Sequence, residues 1–254
     1  APPLFSDIGA EVVALGVEPD GKNINHHCGS EHPKGLIRAV LETGSDIGLA
    51  LDGDGDRLIA VDESGDILSG DHILLICANL MKRQGRLKNH CVVSTVMSNL
   101  GLAAALDKMG IRHETSKVGD RYVMEKMTHC GAVIGGEDSG HMIFADCHTT
   151  GDGSLTGLKL IEAIQTENKP LSELSRLMTP YPQGLINVEG LSKPDIESVS
   201  EIADAIESVE SKLGKKGRVL VRYSGTQPIC RIMVEGPSEG DTQKYCQQLS
   251  DIIY

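Results

Sequence analysis

A chain of 254 residues has room for more than one hydrophobic core, and its 40% hydrophobic and 24% charged residues exclude a disordered or fibrous protein. Twenty-four Lys and Arg stand against 36 Asp and Glu, a net charge of -12. That field repels nucleic acid and acidic membrane surfaces, so an anionic ligand has to be met by local cations or backbone amides.

The first residues, Ala1-Pro2-Pro3-Leu4-Phe5, have neither an initiator Met nor a basic stretch ahead of an apolar run. This predicts a start inside a longer protein and no signal peptide. Short β-like runs then alternate with helical spacing, an α/β layout expected to rest on largely parallel strands. Strands are predicted at 11–15, 47–51, 58–61, 91–96 and 132–134. Helices are predicted at 70–84 and at 100–109, where Leu102, Leu106 and Met109 share one face. The apolar stretches, such as 73–80, are far shorter than the roughly 20 residues that span a bilayer. A second β/α layout follows Thr179-Pro180-Tyr181-Pro182, where two prolines interrupt helix and ladder alike. It comprises an apolar run to Val188, a helix from Asp195 with Ile196, Val199, Ile202, Ile206, Val209 and Leu213 on one stripe, strands at 218–222 and 230–234, and a last helix bearing Tyr245, Leu249 and Ile252. With a further boundary at the turn-forming cluster Glu63-Ser64-Gly65-Asp66, the expected units are 1–66, 67–180 and 181–254. Seven scattered cysteines without a C-x-x-C pair predict reduced thiols in a cytoplasmic protein.

Three loops carry chemistry. Asp52-Gly53-Asp54-Gly55-Asp56-Arg57 follows the apolar run 47–51. Three carboxylates at alternate positions, with glycines between them, can converge on a hard cation and would repel one another without it. The incomplete shell leaves room for a phosphate oxygen, as magnesium prefers at phosphoryl-transfer sites, and Arg57 is placed to hold another. An acidic turn is the plain alternative. A calcium loop is the second, since Asp52, Asp54, Asp56 and Glu63 stand at positions 1, 3, 5 and 12, but Arg57 occupies the glycine position and the flanks read as strands. A haloacid-dehalogenase-like phosphatase is the third, with Asp56 standing where that pattern has Thr or Val. The second loop is Gly135-Gly136-Glu137-Asp138-Ser139-Gly140-His141. Glu137 and Ser139, two apart, offer an acceptor and a donor to sugar hydroxyls, and His141 can donate to phosphate or move a proton near neutral pH. The third, Arg222-Tyr223-Ser224-Gly225-Thr226-Gln227-Pro228 with Arg231 beyond it, combines guanidinium, hydroxyls and amides into a phosphate cradle. Lys117 and Arg121 flank Gly119 at a strand-to-helix turn suited to an anion. His26, His27, Cys28 and His32 lack the second cysteine pair of a zinc site.

In this order the three loops resemble the metal, sugar and phosphate loops of the α-D-phosphohexomutases. Asn23-Ile24-Asn25, Cys28-Gly29-Ser30-Glu31-His32-Pro33, Lys117-Val118-Gly119-Asp120-Arg121-Tyr122 and Thr149-Thr150-Gly151-Asp152-Gly153 look most like that family's bacterial phosphoglucosamine mutase branch. The resemblance implies mixed-sheet α/β/α domains followed by a smaller α+β carboxy-terminal domain, with part of a second domain, then the third and fourth, in this chain. It implies interconversion of glucosamine 6-phosphate and glucosamine 1-phosphate through a bisphosphate, for UDP-N-acetylglucosamine and cell-wall precursor synthesis. Phosphomannomutase or phosphoglucomutase activity in the same family, or a non-catalytic sugar-phosphate-binding module, is the alternative. By the same resemblance Asp52, Asp54 and Asp56 match the ligands of one magnesium ion per site. Glu137 and Ser139 match sugar contacts; Arg222, Ser224, Gly225 and Thr226 match the phosphate clamp; Arg57 and His141 match residues near the transferring phosphate. The implied partners are the hexosamine phosphate, its bisphosphate and an amino-terminal phosphoserine domain, with room for a homodimer. Two departures stand out. The family's Thr-Ala-Ser-His-Asn-Pro phosphoserine run occurs nowhere in these residues, and Gln227 and Tyr223 replace the usual Glu and Pro of the clamp.

Overall fold

In the computed structural model, which describes residues 1–189, 196–224 and 228–253, two helices precede the first strand. α1 (Pro2–Asp7) opens on prolines, whose missing N–H costs nothing in a first turn, and buries Phe5. α2 (Lys34–Thr43) lays Val40 and Leu36 on β1 (Ile47–Leu51), so closely that a Cβ on Gly48 would sit 2.6 Å from Val40. Residues 11–15 are no strand. Val12, Val13 and Leu15 are exposed, and among the described residues no neighbouring strand pairs with them to satisfy the backbone. β1 runs antiparallel to β2 (Leu58–Asp62) with Leu51 opposite Leu58, and β3 (Ile67–Leu68) pairs antiparallel with β2. The Glu63–Asp66 cluster is therefore a hairpin turn, held by Ser64 and Asp66 amides that each donate to Asp62 Oδ1 at 2.9 Å.

The apolar α3 (Gly70–Arg83) leads into β4 (Cys91–Thr95), α4 (Leu100–Lys108) and β5 (Arg112–Ser116), then α5 (Asp120–Cys130), β6 (Ile134–Gly136), β7 (Met142–Phe144), α6 (Gly153–Glu167) and α7 (Leu171–Ser175). The sheet order is β5-β4-β6-β7. The first three strands are parallel and β7 runs against β6, so the expectation of largely parallel strands holds here and fails for β1 to β3. Every residue of β4 is buried, and its alternate side chains serve opposite faces. Val92 joins the main core with Leu58, Leu68, Ile73, Leu74, Leu106, Phe144 and Leu160, while Cys91 and Val93 join Val123 and Met127 of α5 in a second cluster. These elements make up one compact unit, Ala1–Thr179.

The other unit, Pro180–Tyr254, begins at the predicted proline pair. β8 (Gln183–Glu189) is followed by α8 (Ser200–Leu213), β9 (Arg218–Tyr223), β10 (Ile229–Glu235) and α9 (Glu239–Ile253). The antiparallel sheet has the order β8-β10-β9. α8 buries Ile202, Val209 and Leu213 of the predicted stripe together with Ala205, with Ile206 half-buried beside them, and the helix starts at Ser200 after a short 3-10 turn at Ile196–Ser198. Val209, Leu213, Ile232, Val234, Cys246 and Leu249 form its core. Among the described residues no helix is long and apolar enough to cross a membrane.

Candidate active site

The carboxylate loop is the connection of the β1–β2 hairpin. Gly55 N–H donates to Asp52 O at 3.2 Å, and Gly55 itself has φ 76°, a conformation for which glycine is suited. The fold brings one oxygen each of Asp52, Asp54 and Asp56 within 4.8 Å of one another. An ion with ligands at about 2.1 Å spans at most about 4.2 Å between opposite ligands, so a small contraction closes the set on magnesium. Arg57 lies alongside: its amide donates to Asp52 Oδ1 at 3.2 Å, and its Nε is 2.7 Å from Asp52 Oδ2 and 3.6 Å from Asp56 Oδ1. Burial raises both carboxyls. At Asp52 the Arg57 amide and guanidinium outweigh it and the pKa falls below the ordinary value, whereas at Asp56 burial and the Asp52 charge raise it together. Asp56 Oδ1 is buried without a hydrogen-bond partner among the described residues, which is the state expected of an oxygen reserved for a cation. The Asn23-Ile24-Asn25 segment covers this hairpin, since a Cβ on Gly53 would meet Ile24 at 2.8 Å and Asn25 at 3.0 Å.

The loop between β6 and β7 packs against the same hairpin. Arg57 and His141 form an isolated antiparallel bridge, and Leu58 N–H donates to Gly140 O at 3.1 Å. His141 Nδ1 lies 3.0 Å from Asp56 Oδ2. An ionised carboxylate only accepts, so Nδ1 carries the proton and Nε2, buried and without a hydrogen-bond partner among the described residues, is the atom left for chemistry. Glu137 and Ser139 do share a side, with Ser139 Oγ 3.4 Å from Glu137 Oε2. The other oxygen, Oε1, accepts from Gly119 N–H at 2.7 Å. Gly119 has φ 125°, outside the range of residues with a side chain, so this amide depends on glycine. The bond places the 117–121 turn, at the start of α5, beside the β6–β7 loop. Lys117 is exposed with its ammonium 6.0 Å from the Tyr122 ring centre, and exposed Arg121 pairs with Glu125 at 2.9 Å. Sequence reading placed Gly119 and Gly151 within family-like text without a role; their contacts lie 18 and 10 positions away, beyond any local pattern. Among the described residues the Asp triad is the group of three or more His, Cys, Asp or Glu that converges, and the histidines at 26, 27 and 32 do not.

In the carboxy-terminal unit, Arg222 on β9 and Arg231 on β10 are direct cross-strand partners. Like charges placed so repel. Burial, and then the Arg231 charge, lower the Arg222 pKa from the ordinary guanidinium value, and the Nε atoms of both arginines are buried without a hydrogen-bond partner among the described residues. An anion resolves both problems at once. Ser224 is buried beside them, its amide donating to Ile229 O at 2.9 Å. Gly225 and Thr226, also expected in this clamp, lie outside the described residues, as does Gln227.

Residues 69–181 match phosphoglucomutase/phosphomannomutase, alpha/beta/alpha domain III, and residues 185–252 match the C-terminal domain of the same family. The chain belongs to the phosphoglucomutase/phosphomannomutase family. Over its whole length it is 55% identical to phosphoglucosamine mutase of Syntrophus aciditrophicus and 56% identical to that of Syntrophobacter fumaroxidans. It spans 56% of the length of each of these curated relatives. A phosphoglucomutase/phosphomannomutase family protein from Burkholderia thailandensis superposes with a TM-score of 0.79 at 25% identity, over 99% of this chain and 56% of that one. Aspergillus fumigatus N-acetylphosphoglucosamine mutase, solved with GlcNAc-6P and magnesium, has the same fold, with a TM-score of 0.73 at 20% identity over 90% of this chain and 57% of that one. The chain's resemblance to the α-D-phosphohexomutases is thus a family relationship.

Proposed function

We propose that the protein containing this chain is a phosphoglucosamine mutase, interconverting glucosamine 6-phosphate and glucosamine 1-phosphate through a bisphosphate in the cytoplasm. The observation that carries the reaction class is the joined geometry of the amino-terminal unit: three convergent carboxylates, His141 tied to Asp56, and Glu137 tied to the Gly119 amide. The names of the relatives, at 55–56% identity across the chain, support the amino sugar.

In this reading Asp52, Asp54 and Asp56 hold one magnesium ion, which when bound offsets charge on the phosphoryl oxygens. Asp56 orients His141, which holds or moves a proton at Nε2 near the phosphate. Arg57 keeps Asp52 ionised and its own charge close to the phosphoryl oxygens. Glu137 and Ser139 read sugar hydroxyls, with Glu137 already turned by Gly119. Lys117, Arg121, Arg222, Ser224, Gly225, Thr226 and Arg231 supply phosphate contacts. Residues 1–66, 67–180 and 181–254 correspond in this proposal to part of a second domain, a third and a fourth. Since the phosphoserine run occurs nowhere in this sequence, the phosphoryl carrier is assigned to an amino-terminal domain outside it.

The test is phosphorus NMR of the full-length protein with magnesium and a trace of hexose bisphosphate, offered glucosamine, glucose and mannose 6-phosphates. Conversion is expected to be fastest with glucosamine 6-phosphate; equal or faster conversion of glucose or mannose phosphate would reassign the substrate within the family. In the same assay Glu137→Gln is expected to raise KM for the sugar phosphate about tenfold, because hydroxyls then meet a neutral acceptor in place of a charged one worth about 1.5 kcal/mol more. Unchanged KM would remove Glu137 from sugar recognition.

A further inference from the structure

The ring of His141, buried but for 6% of its side chain, faces the backbone of Gly151 on the connection into α6. A Cβ at position 151 would lie 2.4 Å from Cε1, 2.5 Å from Nε2 and 2.7 Å from Nδ1 of that ring. Carbon contacts begin near 3.5 Å, so no side chain fits there while the imidazole keeps its place. Gly151 is not among the glycines with positive φ, so the backbone itself would accept alanine. Space, and not strain, is what the ring demands.

The segment cannot draw back. Two residues on, Gly153 N–H donates to Gly55 O at 2.9 Å, and a Cβ there would meet Leu51 at 2.5 Å and Arg57 O at 2.8 Å. Between them Asp152 caps α6, accepting from the Leu155 amide at 2.9 Å, while Thr156 Oγ1 donates to the Asp152 carbonyl at 2.7 Å. The turn is thus pinned to the carboxylate hairpin at one end and to the helix at the other. The His141 backbone is fixed by its bridge to Arg57, and its ring is caught between Asp56 and Gly151.

We propose that Gly151 is a positioning residue, the wall that sets the His141 imidazole on Asp56 before any substrate arrives. It touches no reacting atom and acts through His141, so the inference rests on the role proposed for His141 above.

The experiment is a double-mutant cycle in the full-length protein with Gly151→Ala, His141→Ala and both together. Gly151→Ala is expected to lower kcat about 100-fold, the cost of a misplaced catalytic group, with KM for glucosamine 6-phosphate within about twofold of the parent. The NMR signal of the His141 Nδ1 proton should leave its hydrogen-bonded position. Once the ring is gone Cβ has room, so adding Gly151→Ala to His141→Ala should cost nothing further in kcat or Tm. Losses that multiply, or a Gly151→Ala protein with parental kcat and an unmoved His141 signal, would overturn the proposal. If Gly151→Ala alone does not fold, a double variant that folds like His141→Ala supports it, and one that also fails to fold overturns it. Parental turnover by His141→Ala would instead sink the role given to His141, while Tm and the His141 signal of Gly151→Ala still show whether Gly151 sets the ring.

Discussion

Asp54→Asn is expected to cut magnesium affinity at least about 100-fold and to lower turnover of the full-length protein with it. Substitutions in the shell around metal ligands already cost about 10- to 100-fold, and this one removes a direct ligand charge while keeping the side chain's size. Asp54 is the most exposed of the three, so the change disturbs no packing. The same substitution relieves repulsion in the metal-free protein, where burial, the Asp52 charge and then the Asp54 charge raise the Asp56 carboxyl. Without magnesium, Tm should therefore hold or rise. Calorimetric titration with magnesium and a melting curve in chelator check the two signs, and unchanged affinity would end the metal assignment.

Arg222→Met is expected to weaken phosphate binding about 10- to 150-fold, the range that corresponds to one hydrogen bond to a charged group, about 1.5–3 kcal/mol. Its guanidinium faces Arg231 across the β9–β10 pair, so removing it also removes a like-charge contact, and the apolar Met retains most of the stem's packing. Affinity and stability should move in opposite directions. Titration with glucosamine 6-phosphate against Tm in phosphate-free buffer separates them. A fall in both would mean that Arg222 supports the sheet and does not bind the ligand.

The parts legible in sequence were those whose signal is local. β1 and β2 stand out because apolar runs of strand length flank a loop too acidic for a strand, and α3 because its apolar residues recur at helical spacing. α8 and α9 follow from their stripes, and the Pro180–Pro182 break coincides with the division between the two compact units. α5 buries only Val123 and Met127, too little periodicity to announce a helix, and β5, Arg-His-Glu-Thr-Ser, is a polar edge strand. α6 hides behind its glycines: Gly157 is buried where a Cβ would lie 2.9 Å from Phe5 and 3.0 Å from Leu49, an economy of space that reads in sequence as a weak helix. Residues 11–15 mislead in the other direction, since β-prone side chains do not supply a partner strand. Strand direction also escaped, because apolar runs look alike in parallel and antiparallel ladders. At the site, residue types and loops were readable, but the bonds that aim them were not. The Gly119 amide on Glu137, Asp56 on His141 and Gly151 against the ring all join residues distant in sequence.

The most direct test of the account is turnover by the purified chain itself, assayed with glucosamine 6-phosphate, magnesium and a trace of hexose bisphosphate, beside the full-length protein. The three loops proposed to hold metal, sugar and phosphate are all present, but positioning and charge neutralisation achieve nothing without the group to be transferred. The account predicts weak binding of the sugar phosphate and no conversion by the chain, with conversion restored in the full-length protein. Conversion by the chain alone at the full-length rate would contradict it, and would move the phosphoryl carrier into these 254 residues.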